Sequence, residues 1–482
     1  MVVNSINFWV FFAVFLIPYF FLFRKMMHQN IWLLLASLFF YGWVDWKMVP
    51  LLFVVSAFYF FLGIKIEKSN QTSPKKASLF TILGIVAGVG VLFYFKYFNF
   101  FVGEFSGLFS AIGIHVNSSD MDIIMPIGVS FFTFKVMSYV IEIHRENIKP
   151  TRNPVVFAAY VAFFPTILSG PIDRPTTFLP QFNERRKLDF CNLSEGLKRI
   201  LWGLFLKMCI ADIISSWTDA VFSGYGHHNA TTIIAAAVLY TLQLYTDFCG
   251  FSEMAIGVGR IMGFTVTENF CRPFFSQNIA EYWRRWHMSL TTWITDYVFM
   301  PLNVAFRDWG RNGIFLATLI NMVIIGMWHG ANWTFFWFGV YHGLMLILII
   351  LFEKQRKKME KKYGLKKKES YIWFRRLLAF VLFAFGSMLF RSASVTDFIG
   401  MVKQVGQGFG PIYDEELPAI VVYVLPSVAV MLFREWVAEY KRDIHFFHSP
   451  NVYVRLASIA LMISTIIYIG QLDGNSFIYF KF

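Results

Sequence analysis

Two histidines stand where an imidazole is expensive. His329 lies in Gly326-Met327-Trp328-His329-Gly330-Ala331-Asn332-Trp333, inside an apolar run from Ile314 to Phe352. An ionisable ring in such a run must be desolvated or must line a wet cavity, so it is a functional candidate by default. The competing reading is an interfacial His that ends one span and starts the next, helped by Gly330 and Asn332. The second histidine, His287, comes 42 residues earlier in Glu281-Tyr282-Trp283-Arg284-Arg285-Trp286-His287-Met288-Ser289-Leu290. Interleaved Trp and Arg suit a membrane interface, where an indole and a snorkelling guanidinium both find polar partners. That accounts for the Trp and Arg better than for the His. Two imidazoles, one on an interfacial piece and one in a span, could meet at the mouth of a buried cavity. One would take a proton from a hydroxyl while the other orients an acyl group or polarises its carbonyl.

Asp247, after the apolar run Ala235–Leu244, is a third candidate. A carboxylate there is costly unless paired, and two readings are open: a salt bridge to Arg284 or Arg285, or a place in the site lining. Asp296 and Tyr297 carry the same ambiguity. His342 reads as an interfacial or helix-packing residue, and Ser169-Gly170-Pro171 as a helix break. The tail Phe477-Ile478-Tyr479-Phe480-Lys481-Phe482 has four aromatics in six residues. It is either an interfacial anchor or a segment that folds back to present the Tyr479 phenol as a nucleophile, which would need a nearby base. Cys191, Cys209, Cys249 and Cys271 form no CxxC pair and read as small hydrophobes, and His227-His228 has no partners at metal-ligand spacing. No metal site is assigned.

The elements that must hold these residues are membrane helices. Of 482 residues, 57% are hydrophobic and 15% charged, against about 25% charged in soluble domains. Apolar stretches recur from 6–23 to 452–470, with shorter amphipathic pieces near 251–264 and 290–302. At ~20 residues per crossing the expectation is an all-α polytopic membrane protein with about 11–13 transmembrane or re-entrant helices. No internal repeat is visible, and 1–482 is expected to be one membrane-embedded domain ending in a tail at 471–482. No signal peptide is expected, since Met1 to Asn7 lacks a basic start.

The net charge of +13 does not argue for nucleic acid, because the cations cluster between apolar spans. Segment 353–376 holds eleven Lys and Arg, 392–417 holds Lys403 alone, and 434–451 holds three. The positive-inside bias makes the first and third cytoplasmic and the middle one external. Carried through the remaining spans, with Arg24-Lys25 and Lys65–Lys76 also cytoplasmic, it places both termini outside.

Taken together, these residues resemble the membrane-bound O-acyltransferase family, in its bacterial branch that acylates cell-envelope polymers. The resemblance runs through Phe39–Trp43, Phe95–Phe100, Met125–Phe131, Ser169–Pro171, Gln243–Gly257, Glu281–Leu290 and Trp328–Trp333. It implies a ring of helices around a central funnel, His329 as the essential histidine and His287 as the second polar position. It also implies a cytoplasmic thioester donor, acetyl-CoA, with no tightly bound cofactor, and an external polysaccharide as final acceptor, served by a separate hydrolase-like transferase. The tail matches an F-x-Y-F-x-F pattern of such systems, in which Tyr479 would carry the acyl group. Trp286, Trp328, Arg284, Asp247 and Asn332 would shape the site. Two departures stand out. Pro301-Leu302 is followed by Asn303–Arg307 rather than a Gly-Gly-x-Arg segment, and Cys249 replaces the usual Ser.

The expected activity is O-acetylation of an envelope polysaccharide at the bacterial cytoplasmic membrane. The alternatives are a D-alanyl transferase fed by a carrier-protein thioester, for which the basic 353–376 loop would be a dock, and a non-enzymatic precursor transporter with the histidines as proton relays.

Overall fold

The computed structural model describes residues 3–111, 123, 125–413, 417–441 and 446–471. Among them there is no β-strand, and nine helices are long and apolar enough to cross a membrane. Two shorter apolar helices, Ile6–Leu22 and Pro154–Ile167, accompany them. The protein is an all-α, multi-pass membrane protein.

The chain forms two compact units, one of residues 1–200 with 254–267, the other of 201–253 with 268–482. In the first, the helices Val49–Thr72 and Pro74–Leu92 pack on Val129–His144, which is buried along most of its length. Small residues allow that approach: a Cβ on Gly63 would stand 2.7 Å from the Tyr139 ring, and one on Gly88 2.6 Å from Met137 Sδ. Inside this packing Lys135 donates to Thr166 Oγ1 at 2.8 Å, and Asp173 accepts from the backbone and hydroxyl of Thr267, each at 2.9 Å.

In the second unit the helices Gly310–His329 and Trp333–Tyr363 form an antiparallel pair. Gly326 and Gly339 sit at the crossing, where a Cβ on Gly326 would lie 2.2 Å from the Phe335 carbonyl oxygen. No side chain larger than hydrogen fits there, so the sequence Gly-Met-Trp-His is fixed at a point of closest backbone approach. Gly330 is extended and ends the first helix, and the Asn332 side chain accepts from Thr334 N at 3.0 Å to start the next.

One stretch differs from expectation. Instead of a separate short piece near 251–264, a single helix runs Ala230–Ile261. Gly250 is no breaker here. It lets the helix approach its neighbour, with Gly203 O only 2.8 Å from where a Cβ would be.

Candidate active site

His287 is fully buried, between the short helices Ile279–Arg285 and Met288–Ile294. Its backbone is left-handed, with φ +42°, a conformation a non-glycine residue keeps only when its surroundings over-determine it. Asn269 supplies that constraint. Its carbonyl accepts from Met288 N at 2.9 Å, and its side-chain oxygen accepts from Ser289 N at 3.3 Å and Ser289 Oγ at 2.9 Å. The same oxygen lies 3.0 Å from His287 Nδ1, while Asn269 Nδ2 donates to Ser252 Oγ at 3.0 Å.

These contacts fix the tautomer. A backbone N–H can only donate, so the atom facing Ser289 N is the amide oxygen of Asn269. His287 Nδ1 must then carry the proton, and the lone pair of the neutral ring sits on Nε2. Burial pushes the His287 pKa down to about 3, so the neutral ring is the resting form. An Nε2 lone pair accepts a hydrogen bond from a hydroxyl or thiol. It does not donate to a carbonyl.

His329 is the last residue of its helix and is buried. Trp328 is the shared neighbour of the two histidines, its ring centroid 5.5 Å from that of His287 and 5.2 Å from that of His329. Phe248 meets His287 edge-on at 4.6 Å, and Phe390 meets His329 at 5.0 Å. Segments 42 residues apart are therefore brought to one indole in an aromatic, low-dielectric surround. Beside His329, a cavity of about 340 Å³ is lined by Gly330, Ala331, Asn332, Phe335, Gln243 and the Arg391–Asp219 ion pair.

The remaining expected residues divide. Trp286 is buried among Tyr245, Phe270, Tyr282 and Phe383. Asn332 lines the cavity, and both ends of its amide are engaged, by Thr334 N and by Ala393 O at 3.0 Å. Arg284 is exposed.

The pairing expected for Asp247 is corrected. It meets neither Arg284 nor Arg285 but the buried Lys207, at 2.6 Å, and Lys207 also pairs with Asp212 at 2.7 Å. Arg285 is taken by Glu281 at 2.7 Å and Glu439 at 3.1 Å. Burial decides between the partners: a desolvated carboxylate needs a cation that is itself inside, and Arg284 points out. Lys207, in the interior of the apolar stretch 197–222, carried the intramembrane-charge signal and was missed. Asn269 carried no signal of its own. His342 is a packing residue, enclosed by Trp283, Phe338 and Phe383. Cys209 and Cys249 are buried as small hydrophobes, whereas Cys191 is exposed. Tyr479 lies outside the described residues.

A polytopic helical membrane protein with two buried imidazoles around one tryptophan suits acyl or proton transfer at membrane depth. Comparison with known proteins narrows this. Residues 131–396 match the membrane-bound O-acyltransferase family. A probable alginate O-acetylase, AlgI, of Pseudomonas syringae pv. tomato is 36% identical over 376 residues, covering 76% of this chain and 68% of that protein. The peptidoglycan O-acetyltransferase of Helicobacter pylori is 31% identical over 358 residues, 67% of this chain and 64% of that protein. The teichoic acid D-alanyltransferase of Streptococcus thermophilus is 32% identical over 276 residues, 53% of this chain and 65% of that protein. The chain thus spans about two thirds of the length of these relatives. It belongs to the membrane-bound O-acyltransferase family and is an enzyme of the acyltransferase class.

Proposed function

We propose that the protein takes an acetyl group from a cytoplasmic thioester, acetyl-CoA, and delivers it to the external side for O-acetylation of an envelope polysaccharide. The observation that carries this reading is the meeting of His287 and His329 at Trp328, with Asn269 holding His287 as an acceptor. In the proposed chemistry His329 removes the proton of an attacking hydroxyl. His287 Nε2 accepts a hydrogen bond from the thiol that forms as the donor loses its acyl group. The hydroxyl oxygen bonds to the acyl carbon and the C–S bond breaks. The thiolate leaves with the proton that His329 took, giving an ester and a free thiol. Asp247, tied to Lys207 and Asp212, supports the scaffold rather than touching substrate.

The attacking hydroxyl is assigned to Tyr479, which would then pass the acetyl to a separate external transferase. On the charge-based orientation, the segment after Arg391 faces outward, so the cavity at Gly330–Asn332 opens toward the acceptor side. The membrane is the bacterial cytoplasmic membrane, with both termini outside.

The test is intact mass of the C-terminal peptide after purified protein meets acetyl-CoA, run for wild type, His329→Ala and Tyr479→Phe. One acetyl on Tyr479 in wild type alone supports the relay. Acetyl-CoA consumed without acetyl on Tyr479 makes the tail an anchor and points to direct handover. No consumption points to a carrier-protein thioester, the donor class expected if the likeness to the teichoic acid D-alanyltransferase extends to the reaction.

A further inference from the structure

The first unit contains a second polar cavity, about 550 Å³, remote in sequence from both histidines. Arg185, Arg186 and Lys187 line it together with one acidic side chain, Glu184, and the hydroxyl residues Thr177 and Thr265. Arg185 and Lys187 are exposed, whereas Arg186 is only 5% exposed.

The partners of Arg186 are unusual for a buried cation. Nε donates to Tyr19 Oη at 2.9 Å, Nη1 to the Glu184 carbonyl at 2.8 Å, and Nη2 to Asn30 Oδ1. All are neutral, and among the described residues Arg186 makes no ion pair. Its hydrogen bonds are satisfied, and its charge is met only by neutral groups, among them the faces of the Phe264 ring at 4.9 Å and the Tyr19 ring at 5.8 Å. Buried guanidinium groups are ordinarily matched by an anion, because neutral dipoles offset only part of the desolvation. Gly263 keeps the wall next to Arg186 thin: its φ is +85°, and a Cβ there would stand 3.0 Å from Arg186 Cγ.

Gln29 sets the depth of this cavity. Its amide binds both backbone groups of Arg186, accepting from N at 3.0 Å and donating to O at 2.8 Å. Gln29 follows Lys25 by one helical turn, so the cavity lies at the level of the basic segment read as cytoplasmic.

We infer that this cavity is a binding site for a phosphate group, with the buried charge of Arg186 preorganised at its wall and Arg185 and Lys187 closing on the anion. Three cations facing one carboxylate suit a phosphate ester or diphosphate, for which guanidinium and ammonium groups are the usual partners. The volume lies within the range of small-ligand sites. Two sources at the cytoplasmic surface carry this chemistry: the phosphates of a nucleotide thioester donor and the headgroup of an acidic phospholipid. The inference does not depend on the histidine chemistry.

The test uses the full chain in phosphatidylcholine nanodiscs. Calorimetry measures binding of inorganic pyrophosphate and of coenzyme A, and native mass spectrometry measures retention of added phosphatidylglycerol. Wild type is compared with the double variant Arg185→Ala/Lys187→Ala, whose altered side chains are exposed, and with Lys366→Ala/Lys367→Ala as a control for general surface charge. Saturable coenzyme A binding displaced by pyrophosphate assigns the nucleotide source. Retained phosphatidylglycerol assigns the lipid source. In either case the double variant should bind at least tenfold more weakly with an unchanged melting temperature, and the control should bind as wild type does. Lys187→Gln alone should give a smaller loss of the same sign. No binding of any of the three probes, or equal binding by wild type and the double variant, overturns the inference.

Discussion

His287 and His342 are both fully buried, and each meets a tryptophan edge, Trp328 at 5.5 Å and Trp283 at 5.2 Å between centroids. Their hydrogen bonds separate them. His287 is held through Nδ1 by Asn269, whereas among the described residues neither ring nitrogen of His342 has a protein partner. Asn269 is in turn fixed by Ser289 and Ser252, so three polar groups specify one proton position. His342 sits where Gly386 leaves room for its ring, with Nε2 2.6 Å from where a Cβ would be. The comparison teaches that burial alone does not make an imidazole chemical. A second group must decide which nitrogen holds the proton.

The strongest way to break this comparison is to remove each ring. Loss of a positioned base lowers rate by ~10²–10⁴-fold, so His329→Ala should lose acyl transfer by that factor at an almost unchanged melting temperature. His287→Ala should fall in the same range, while His342→Phe should keep transfer within a few-fold. Equal losses for His287→Ala and His342→Phe would dissolve the distinction between them.

Next in size is the ion cluster, a buried polar centre in the same unit with a scaffold role. Removing one partner of a buried pair costs about 3–5 kcal/mol. Lys207→Met strips the cation from Asp212 and Asp247 and should show its loss in thermal unfolding. A wild-type melting temperature would remove the scaffold assignment.

Asn269 sharpens the tautomer argument. Asn269→Leu deletes the acceptor and leaves buried donors unmet, each costing about 1–3 kcal/mol, and should reduce transfer. Asn269→Asp keeps the acceptor and adds a negative charge that favours the imidazolium. The acid limb of the rate profile governed by His287 should then move to higher pH. An unmoved limb would mean that Asn269 acts only as packing.

Stability should also depend on pH. The pKa of His287, depressed to about 3 in the folded protein, stands near 6.5 in an unfolded chain. Between these values the unfolded state binds the extra proton, so the His287 contribution is present above pH 6.5 and falls as pH drops toward 3. His287→Gln should flatten this part of the curve in acid unfolding.

Much of the candidate site was legible in the sequence because desolvating an imidazole is costly wherever the chain folds. His329 in its apolar run and His287 among Trp and Arg announced themselves, as did the helical, membrane-spanning character. Gly330 and Asn332 flanked His329 legibly as well, since a break and a cap each demand a particular residue, whereas the crossing at Gly326 emerged only from the packing. The partner of Asp247 was not legible. Arg285 is nearer in sequence to His287 than Lys207 is, yet Glu281 and Glu439 take it.

The amino-acid sequence was enough to show which groups are too costly to bury without purpose, and that the chain is helical and crosses a bilayer many times. Only the tertiary structure decided which buried charge meets which, because pairing depends on where helices cross rather than on spacing along the chain. It also decided the proton position on His287. That follows from Asn269, 18 residues upstream, whose amide oxygen is oriented by a backbone N–H that cannot do anything but donate.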